Sequence, residues 1–341
     1  MTRLGEGPLV ALERFPRAAM GHFPTPLEAM VNLGRDLGLS LFVKRDDCTG
    51  VGFGGNKIRQ LEYYLGDALA AGADVLLITG AVQSNFVRAA AAMGCRLGMA
   101  CHIQLEERVP DISALHRTNG NVLLDNLLGA TLHSYPEGED EAGADAAIAR
   151  IADALRETGH TPYVIPLGAA SKPLGALGYV RAAVEVLPQI KAAGGVDEIV
   201  VASGSALTHA GLLLGLRLAG DTTPVRGICV RRDADAQAAR VLKRVADTAA
   251  LMGVDSPVRV ADVRVSDVAL GPGYGQMTDG TIAAITRTAQ AEGLFLDPVY
   301  TGKVMAGLIA LAEAGALAGD RVLFWHTGGQ PALFGYGDQF G

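Results

Sequence analysis

The sequence predicts an α/β protein of two packed lobes with mainly parallel sheets, and three observations carry that expectation. Its 341 residues make it about twice the size of an ordinary domain. Apolar residues make up 49% of the chain but aromatics only 5%, a balance that suits close helix-on-sheet packing better than an aromatic-rich β-sandwich. Apolar strands run repeatedly through glycine turns into helices, the pattern of parallel crossover units, whose ligands bind beyond the strands' carboxyl ends.

After an N-terminal stretch containing FPTPL, residues 41–47 (LFVKRDD) read as a strand ending in charge, and the glycine-rich loop 48–55 opens directly into a helix. Ile58, Leu61, Leu65 and Leu69 recur there at helical spacing. Residues 75–79 (VLLIT) are a buried strand, and 80–85 (GAVQSN) form its turn into the next helix. A strand at 99–105 and a weaker one near 129–134 continue the alternation. From Pro162 it resumes with YVIP, a Gly/Ala/Ser loop and a long helix through Lys191. EIVVAS (198–203) leads through a small-residue turn into the helix 208–220. Beyond lie a strand at 224–230, helices near 233–252, 278–292 and after Tyr300, and a last strand within 321–329.

Net charge and cysteine spacing narrow the function classes. A net charge of −7 without a basic stripe argues against nucleic acid as a partner. No segment supplies the roughly 20 apolar residues needed to cross a bilayer, and the opening MTRLGEGPLV lacks the pattern of a secretory signal. Cys48, Cys95, Cys101 and Cys229 have neither CxxC spacing nor histidines arranged for zinc. They are expected to be buried free thiols in a reducing cytoplasm, with no metal site.

Five segments hold candidate site residues. Lys57 follows Gly54, Gly55 and Asn56 at a helix start, where a dry pocket would lower its pKa and make the amine a nucleophile toward an aldehyde. A lysine at a helix start is more commonly solvated, so this residue alone decides nothing. The turn Ser203, Gly204, Ser205, Ala206, Leu207, Thr208, His209 offers backbone N–H groups, a helix N-terminus and hydroxyls to a phosphate, although an ordinary tight turn reads the same. Ser84 and Asn85 stand where a substrate carboxylate could meet a helix N-terminus. Tyr274 in GPGYG and Tyr300 in LDPVYTGK are loop phenols able to serve as acid, base or orienter, though loop tyrosines usually pack. Thr327 in HTGG could offer its hydroxyl to a ring nitrogen or cap a short helix.

Taken in this order, the segments resemble the family of pyridoxal-phosphate enzymes containing D-cysteine desulfhydrase, 1-aminocyclopropane-1-carboxylate deaminase and L-cysteate sulfo-lyase. The matching stretches are TPLE, VKRDDCTG, GGNKIRQLE, GAVQSN, NGNVLLDNLLGA, YVIP, PLGALGY, GPGYG, LDPVYTGK, MAGLI and HTGG, from about Thr25 to Tyr336. The resemblance implies the two-lobed fold type II, the tryptophan synthase β-like fold, with a larger lobe from residues 1–55 plus 162–341 and a smaller inserted lobe from 56–161. It implies pyridoxal 5′-phosphate as cofactor, Lys57 as its Schiff-base lysine, Asn85 on its ring hydroxyl, the 203–209 turn on its phosphate and Thr327 facing its pyridine nitrogen. A neutral hydroxyl there leaves that nitrogen largely unprotonated, which suits rapid β-elimination. It further implies that Ser84 and nearby amides bind the substrate carboxylate, that Tyr300 and Tyr274 stand beside the reacting carbons, and that the protein is a homodimer.

Three departures and one further residue bear on the choice of reaction. Phe86 replaces the His or Gln usual after Ser-Asn and dries the pocket; Leu207 replaces a Gly usual before Thr and restricts the phosphate turn; IPLGAASKPLG and HTGGQPALF also differ from desulfhydrase forms. Thr301 follows the reactive tyrosine where ring-opening deaminases carry an acid, which counts against deamination of the cyclopropane amino acid. The expectation is a lyase acting on a small amino-acid substrate, D-cysteine first, releasing pyruvate and ammonia. The alternatives are cysteate sulfo-lyase, the deaminase, a non-catalytic relative that binds cofactor or ligand, and a generic nucleotide-binding protein.

Overall fold

A computed structural model describes residues 7–138, 140–165 and 171–340. Up to the middle of the chain its elements are β1 (Leu27–Ala29), α1 (Val31–Leu37), β2 (Ser40–Arg45), α2 (Asn56–Ala70), β3 (Val75–Ala81), α3 (Asn85–Arg96), β4 (Ala100–Glu106), α4 (Ala114–Thr118), α5 (Asn121–Leu127), β5 (Thr131–Tyr135), α6 (Glu141–Glu157) and β6 (Pro162–Ile165). There follow α7 (Leu174–Ala192), β7 (Glu198–Ser203), α8 (Leu207–Leu218), β8 (Val225–Cys229), α9 (Ala234–Met252), β9 (Val263–Ser266), α10 (Asp279–Glu292), α11 (Thr301–Glu313), β10 (Arg321–His326) and α12 (Gln330–Phe334). The Gly/Ala/Ser loop after β6, residues 166–170, lies outside the described residues.

Among the described residues the strands form two sheets, β1-β2-β10-β7-β8-β9 and β5-β4-β3-β6. Only β1 and β2 pair antiparallel; the other ladders are parallel. Continuous apolar runs explain the inner strands: β3 and β7 are buried at every residue, as a parallel strand covered by helices on both faces must be. β6 pairs with β3, Ile165 opposite Ile78, so the strand placed at the start of the larger lobe by sequence belongs to the smaller sheet.

Alternation along β10 sorts side chains into two cores. Leu323 and Trp325 point to the core shared with Leu61 of α2, Leu177 of α7 and Leu213 of α8, while Val322 and Phe324 point to the one shared with Ile285 of α10 and Val304 of α11. Helices α7 and α8 meet at backbone distance: a Cβ on Gly211 would fall 2.3 Å from the Ala176 carbonyl oxygen, so glycine is required there. On α2 the apolar stripe ends at Ala68, and Leu69 is 46% exposed rather than part of the buried face.

A buried charge network ties α2 to the larger sheet. Asp46 accepts hydrogen bonds from Arg59 Nε (2.9 Å) and Nη2 (2.8 Å), Tyr179 Oη (2.6 Å), Trp325 Nε1 (2.8 Å) and Thr25 Oγ1 (2.9 Å). Glu185 accepts from Arg59 Nη1 at 2.9 Å and Nη2 at 2.8 Å, and from Lys44 Nζ at 2.7 Å. Burial by itself would raise the Asp46 pKa, but the Arg59 guanidinium outweighs it and holds the carboxyl down at about 2. Two cations thus face two carboxylates, and the pairing fixes the first turns of α2, where Lys57 sits.

Candidate active site

Lys57 is the second residue of α2, and the loop before it is pinned from several sides. Gly55 N–H donates to the Asp46 carbonyl (3.0 Å), Asn56 N–H to the Thr327 carbonyl (2.9 Å) and Thr49 Oγ1 to the Gly55 carbonyl (2.9 Å). Gly54 and Gly55 hold φ values of 64° and 108°, a region costly for residues with a Cβ. Lys57 Nζ lies 3.4 Å from Gln60 Oε1 and 5.0 Å from the centroid of the Phe86 ring. With no carboxylate partner, burial lowers the amine to about 8.

The cleft around that amine is lined by Asn85, Gly204, Ser205, Ala206, Thr208 and Thr327 among others. Its small-residue wall is the turn from β7 into α8. Ala206 caps α8 with φ at 73°, and no side chain bonds the helix's first N–H groups, which leaves them for an anion. The backbone strain expected at Leu207 falls on Ala206 instead, because Leu207 is already helical and packs inward at 6% exposure. Ser203 also departs from its predicted position: it ends β7 fully buried, its Oγ accepting from Gln237 Nε2 at 2.8 Å and lying 3.2 Å from His209 Nδ1. Neither Ser203 nor Leu207 lines the cleft. Burial lowers His209 to about 4, so it is neutral. Thr208 Oγ1 accepts from Asn56 Nδ2 (3.0 Å) and Gln60 Nε2 (2.9 Å), locking the turn to the lysine helix. Thr327 does not cap α12, whose N-cap is Gly329.

The facing wall comes from the smaller sheet. Ser84 is the N-cap of α3, its Oγ accepting from Phe86 N–H (3.2 Å) and Val87 N–H (3.4 Å). Asn85 Oδ1 accepts from Asn121 Nδ2 at 2.9 Å, and Asn85 lines the cleft. Asn121 is itself held by Gln83, whose side-chain and main-chain oxygens accept from its N–H (2.9 Å) and Nδ2 (3.0 Å). Phe86 is 6% exposed, its ring beside the Lys57 amine.

Tyr274 and Tyr300 meet at the far end, hydroxyl to hydroxyl at 2.7 Å. Burial raises both phenols above the ordinary tyrosine range, so both are protonated near neutral pH. Asp297, fully buried, orients the second: its carboxylate accepts from Val299 and Tyr300 N–H (both 3.0 Å) and from Thr301 N–H and Oγ1 (both 2.7 Å). Lys303 Nζ clamps the loop of the first by donating to the carbonyls of Leu270 and Gly273, each at 2.6 Å. Sequence reading missed Gln83, Asn121, Asp297 and Lys303; they lie inside GAVQSN, NGNVLLDNLLGA and LDPVYTGK, motifs noticed as wholes but not resolved into partners.

The same cavity continues outward past Ser84, Phe86 and both tyrosines to Arg108, Glu141, Arg231, Arg232 and Arg240. Arg108, Arg231 and Arg232 follow the carboxyl ends of β4 and β8, Glu141 begins α6, and Arg240 lies in the second turn of α9. No four of them are near one another in sequence, so a search for a basic stripe passes over them.

A lysine amine, an amide, a hydroxyl and an uncapped helix start match the aldehyde, ring hydroxyl, pyridine nitrogen and phosphate of pyridoxal phosphate. Residues 18–328 match the family described as pyridoxal-phosphate dependent enzyme. D-cysteine desulfhydrases of Salmonella typhi and Salmonella gallinarum are each 41% identical over 330 residues, covering 96% of this chain and 98% of theirs. A crystal structure titled an ACC deaminase homologue superposes with a TM-score of 0.89 at 38% identity, covering 99% of both chains. An O-ureido-L-serine synthase, at 17% identity and a TM-score of 0.65 over 98% of this chain and 96% of its own, shares the fold. The chain therefore belongs to the pyridoxal-phosphate-dependent enzyme family, with that cofactor and fold type II.

Proposed function

We propose that the protein is a lyase of the D-cysteine desulfhydrase kind, which eliminates the β-substituent of a small amino acid to give pyruvate and ammonia. The observation that carries this reading is a lysine amine without a carboxylate partner, lowered by burial to about 8, in one cavity with the turn that enters α8 and with Tyr300. Identity of 41% to D-cysteine desulfhydrases over nearly the whole chain supports the substrate.

The bound cofactor supplies an electron sink for the charge that develops at the substrate's Cα. Lys57 would hold its aldehyde carbon, the N–H groups of 204–208 with Thr208 its phosphate, Asn85 Nδ2 its ring hydroxyl and Thr327 its pyridine nitrogen. Once substrate has displaced it, the Lys57 amine takes the α-proton; a pKa near operating pH suits a base that must also give the proton back. Ser84 can donate its hydroxyl hydrogen to the substrate carboxylate while its oxygen still caps α3. Tyr300, protonated and joined to Tyr274, stands as a proton donor to the departing group. Phe86 keeps water from the amine.

The lobe division is part of this proposal, with the second boundary moved past Ile165 because β6 pairs with β3. So is a cytoplasmic homodimer, which light scattering tests. Among the described residues no helix is long and apolar enough to cross a membrane. Borohydride reduction and peptide mapping test the chemistry: a reduced adduct on Lys57, with sulfide from D-cysteine, is expected. Sulfite or 2-oxobutyrate without sulfide would reassign the substrate, and no adduct on Lys57 would end the reading.

A further inference from the structure

We infer that Arg88 is a positioning residue for the cofactor: a side chain that can only donate sets the direction of two successive amides, Asn121 and Asn85, so that the second meets the ring hydroxyl as a donor. This rests on the placement of Asn85 against that hydroxyl given above. Arg88 lies in the first turn of α3 and is 1% exposed. Its Nε donates to Asn121 Oδ1 at 3.2 Å.

A guanidinium has no acceptor, so the end of the Asn121 amide that faces it must be the oxygen. The other end, the nitrogen, donates to the Gln83 carbonyl at 3.0 Å and to Asn85 Oδ1 at 2.9 Å, which engages both its hydrogens. Asn85 therefore commits its oxygen to Asn121, and its amide has only the N–H groups of Nδ2 left to offer. A donor beside the ring oxygen stabilises negative charge on it. An amide oxygen in the same place would instead require the hydroxyl to keep its proton. Nothing within Asn85 chooses between these arrangements, since the two ends of an amide have nearly the same shape. The choice is made at Arg88, the one member of the chain that cannot be reversed.

The same guanidinium holds the loop before Lys57. Its Nη1 donates to the carbonyls of Gly52 and Gly54, the latter at 3.1 Å. Burial lowers Arg88 only to about 10, so it stays charged at neutral pH. Burial raises Asp125, the carboxyl that would offset it, to about 8, and neither Asp125 oxygen has a hydrogen-bond partner among the described residues. The cation thus faces neutral oxygens, and its charge reinforces the polarity of the amide chain.

The test titrates full-length apoenzyme with pyridoxal phosphate and with 3-deoxypyridoxal phosphate, which lacks the ring hydroxyl, and compares the ratio of the two Kd values among wild type, Arg88→Met and Asn85→Ala. Arg88→Met is expected to cut the preference for the hydroxylated cofactor about tenfold, the loss of one buried hydrogen bond. Loosening of the glycine loop acts on both cofactors alike and cancels in the ratio. Added to Asn85→Ala, Arg88→Met should change the ratio no further; a further change shows another route and overturns the relay. A ratio that falls in Asn85→Ala but not in Arg88→Met overturns this inference and leaves Asn85 on the ring hydroxyl. A ratio unchanged in Asn85→Ala overturns both, while the lyase reading still stands or falls on the Lys57 adduct. If Arg88→Met does not fold, neutron diffraction from wild-type holoenzyme crystals decides: deuterons on the Asn85 nitrogen facing the ring oxygen are expected, and an Asn85 oxygen in that place overturns the inference.

Discussion

Replacing Asp46 by Asn should destabilise the protein by roughly 3 kcal/mol or more, because it unbalances a sealed charge network. The carboxyl is fully buried and falls from 3.8 to about 2. At about 1.4 kcal/mol per unit, that difference alone represents about 2 kcal/mol of stability at neutral pH. The substitution also leaves Lys44 and Arg59 facing Glu185 alone, an uncompensated cation in the interior, and truncating one partner of such a pair costs ~3–5 kcal/mol. Urea unfolding at pH 7 measures the change. The sign with pH follows from the lowered pKa: the contribution is complete above pH 3.8 and disappears as pH falls toward 2. The gap between wild type and variant should therefore be constant from pH 7 to 5 and narrow below 4. A variant within ~0.5 kcal/mol of wild type at pH 7 would show that the network is not what holds α2 on the sheet.

Three further outcomes follow from the site. Asn121→Leu should let Asn85 rotate and weaken cofactor binding about tenfold or more, the loss of one buried hydrogen bond with its partner left unsatisfied; an unchanged Kd by absorbance titration would refute its orienting role. Ala206→Gly should raise stability by up to ~1 kcal/mol, since the left-handed conformation strains alanine and not glycine, and a lower melting temperature would contradict this. Because burial lowers Lys57 to about 8, its uncharged amine is scarce at pH 6 and predominates at pH 9. Cofactor capture by apoenzyme should accelerate through that interval in stopped-flow absorbance, and a flat profile would refute the lowered value.

The alternating strand, turn and helix pattern revealed the larger architecture because β3 and β7 bury both faces and so read as unbroken apolar runs. β1 and β9 escaped the same reading; they have three and four residues and lie at the two edges of their sheet, where one flank carries no apolar demand. At the site, Lys57, Asn85, Thr208 and Thr327 stand out in the sequence because each lies just past a strand or in the first turn of a helix. Ser203 and Leu207 belong to the same motif, but the direction of a side chain at a strand's last residue depends on the pleat, which composition does not reveal. The acidic partner of Tyr300, Asp297, and the orienting Asn121 act through hydrogen bonds that only folded coordinates display.

The donors on Lys57's helix and on α3 come early in the chain, whereas the turn at 204–208, Tyr300 and Thr327 come late. No contiguous half of the polypeptide therefore holds all the residues proposed to seat the cofactor, and a nascent or truncated chain stopping short of β10 would carry Lys57 and Asn85 without the Thr327 proposed to face the pyridine nitrogen. Loading with pyridoxal phosphate thus reports that synthesis and folding are complete.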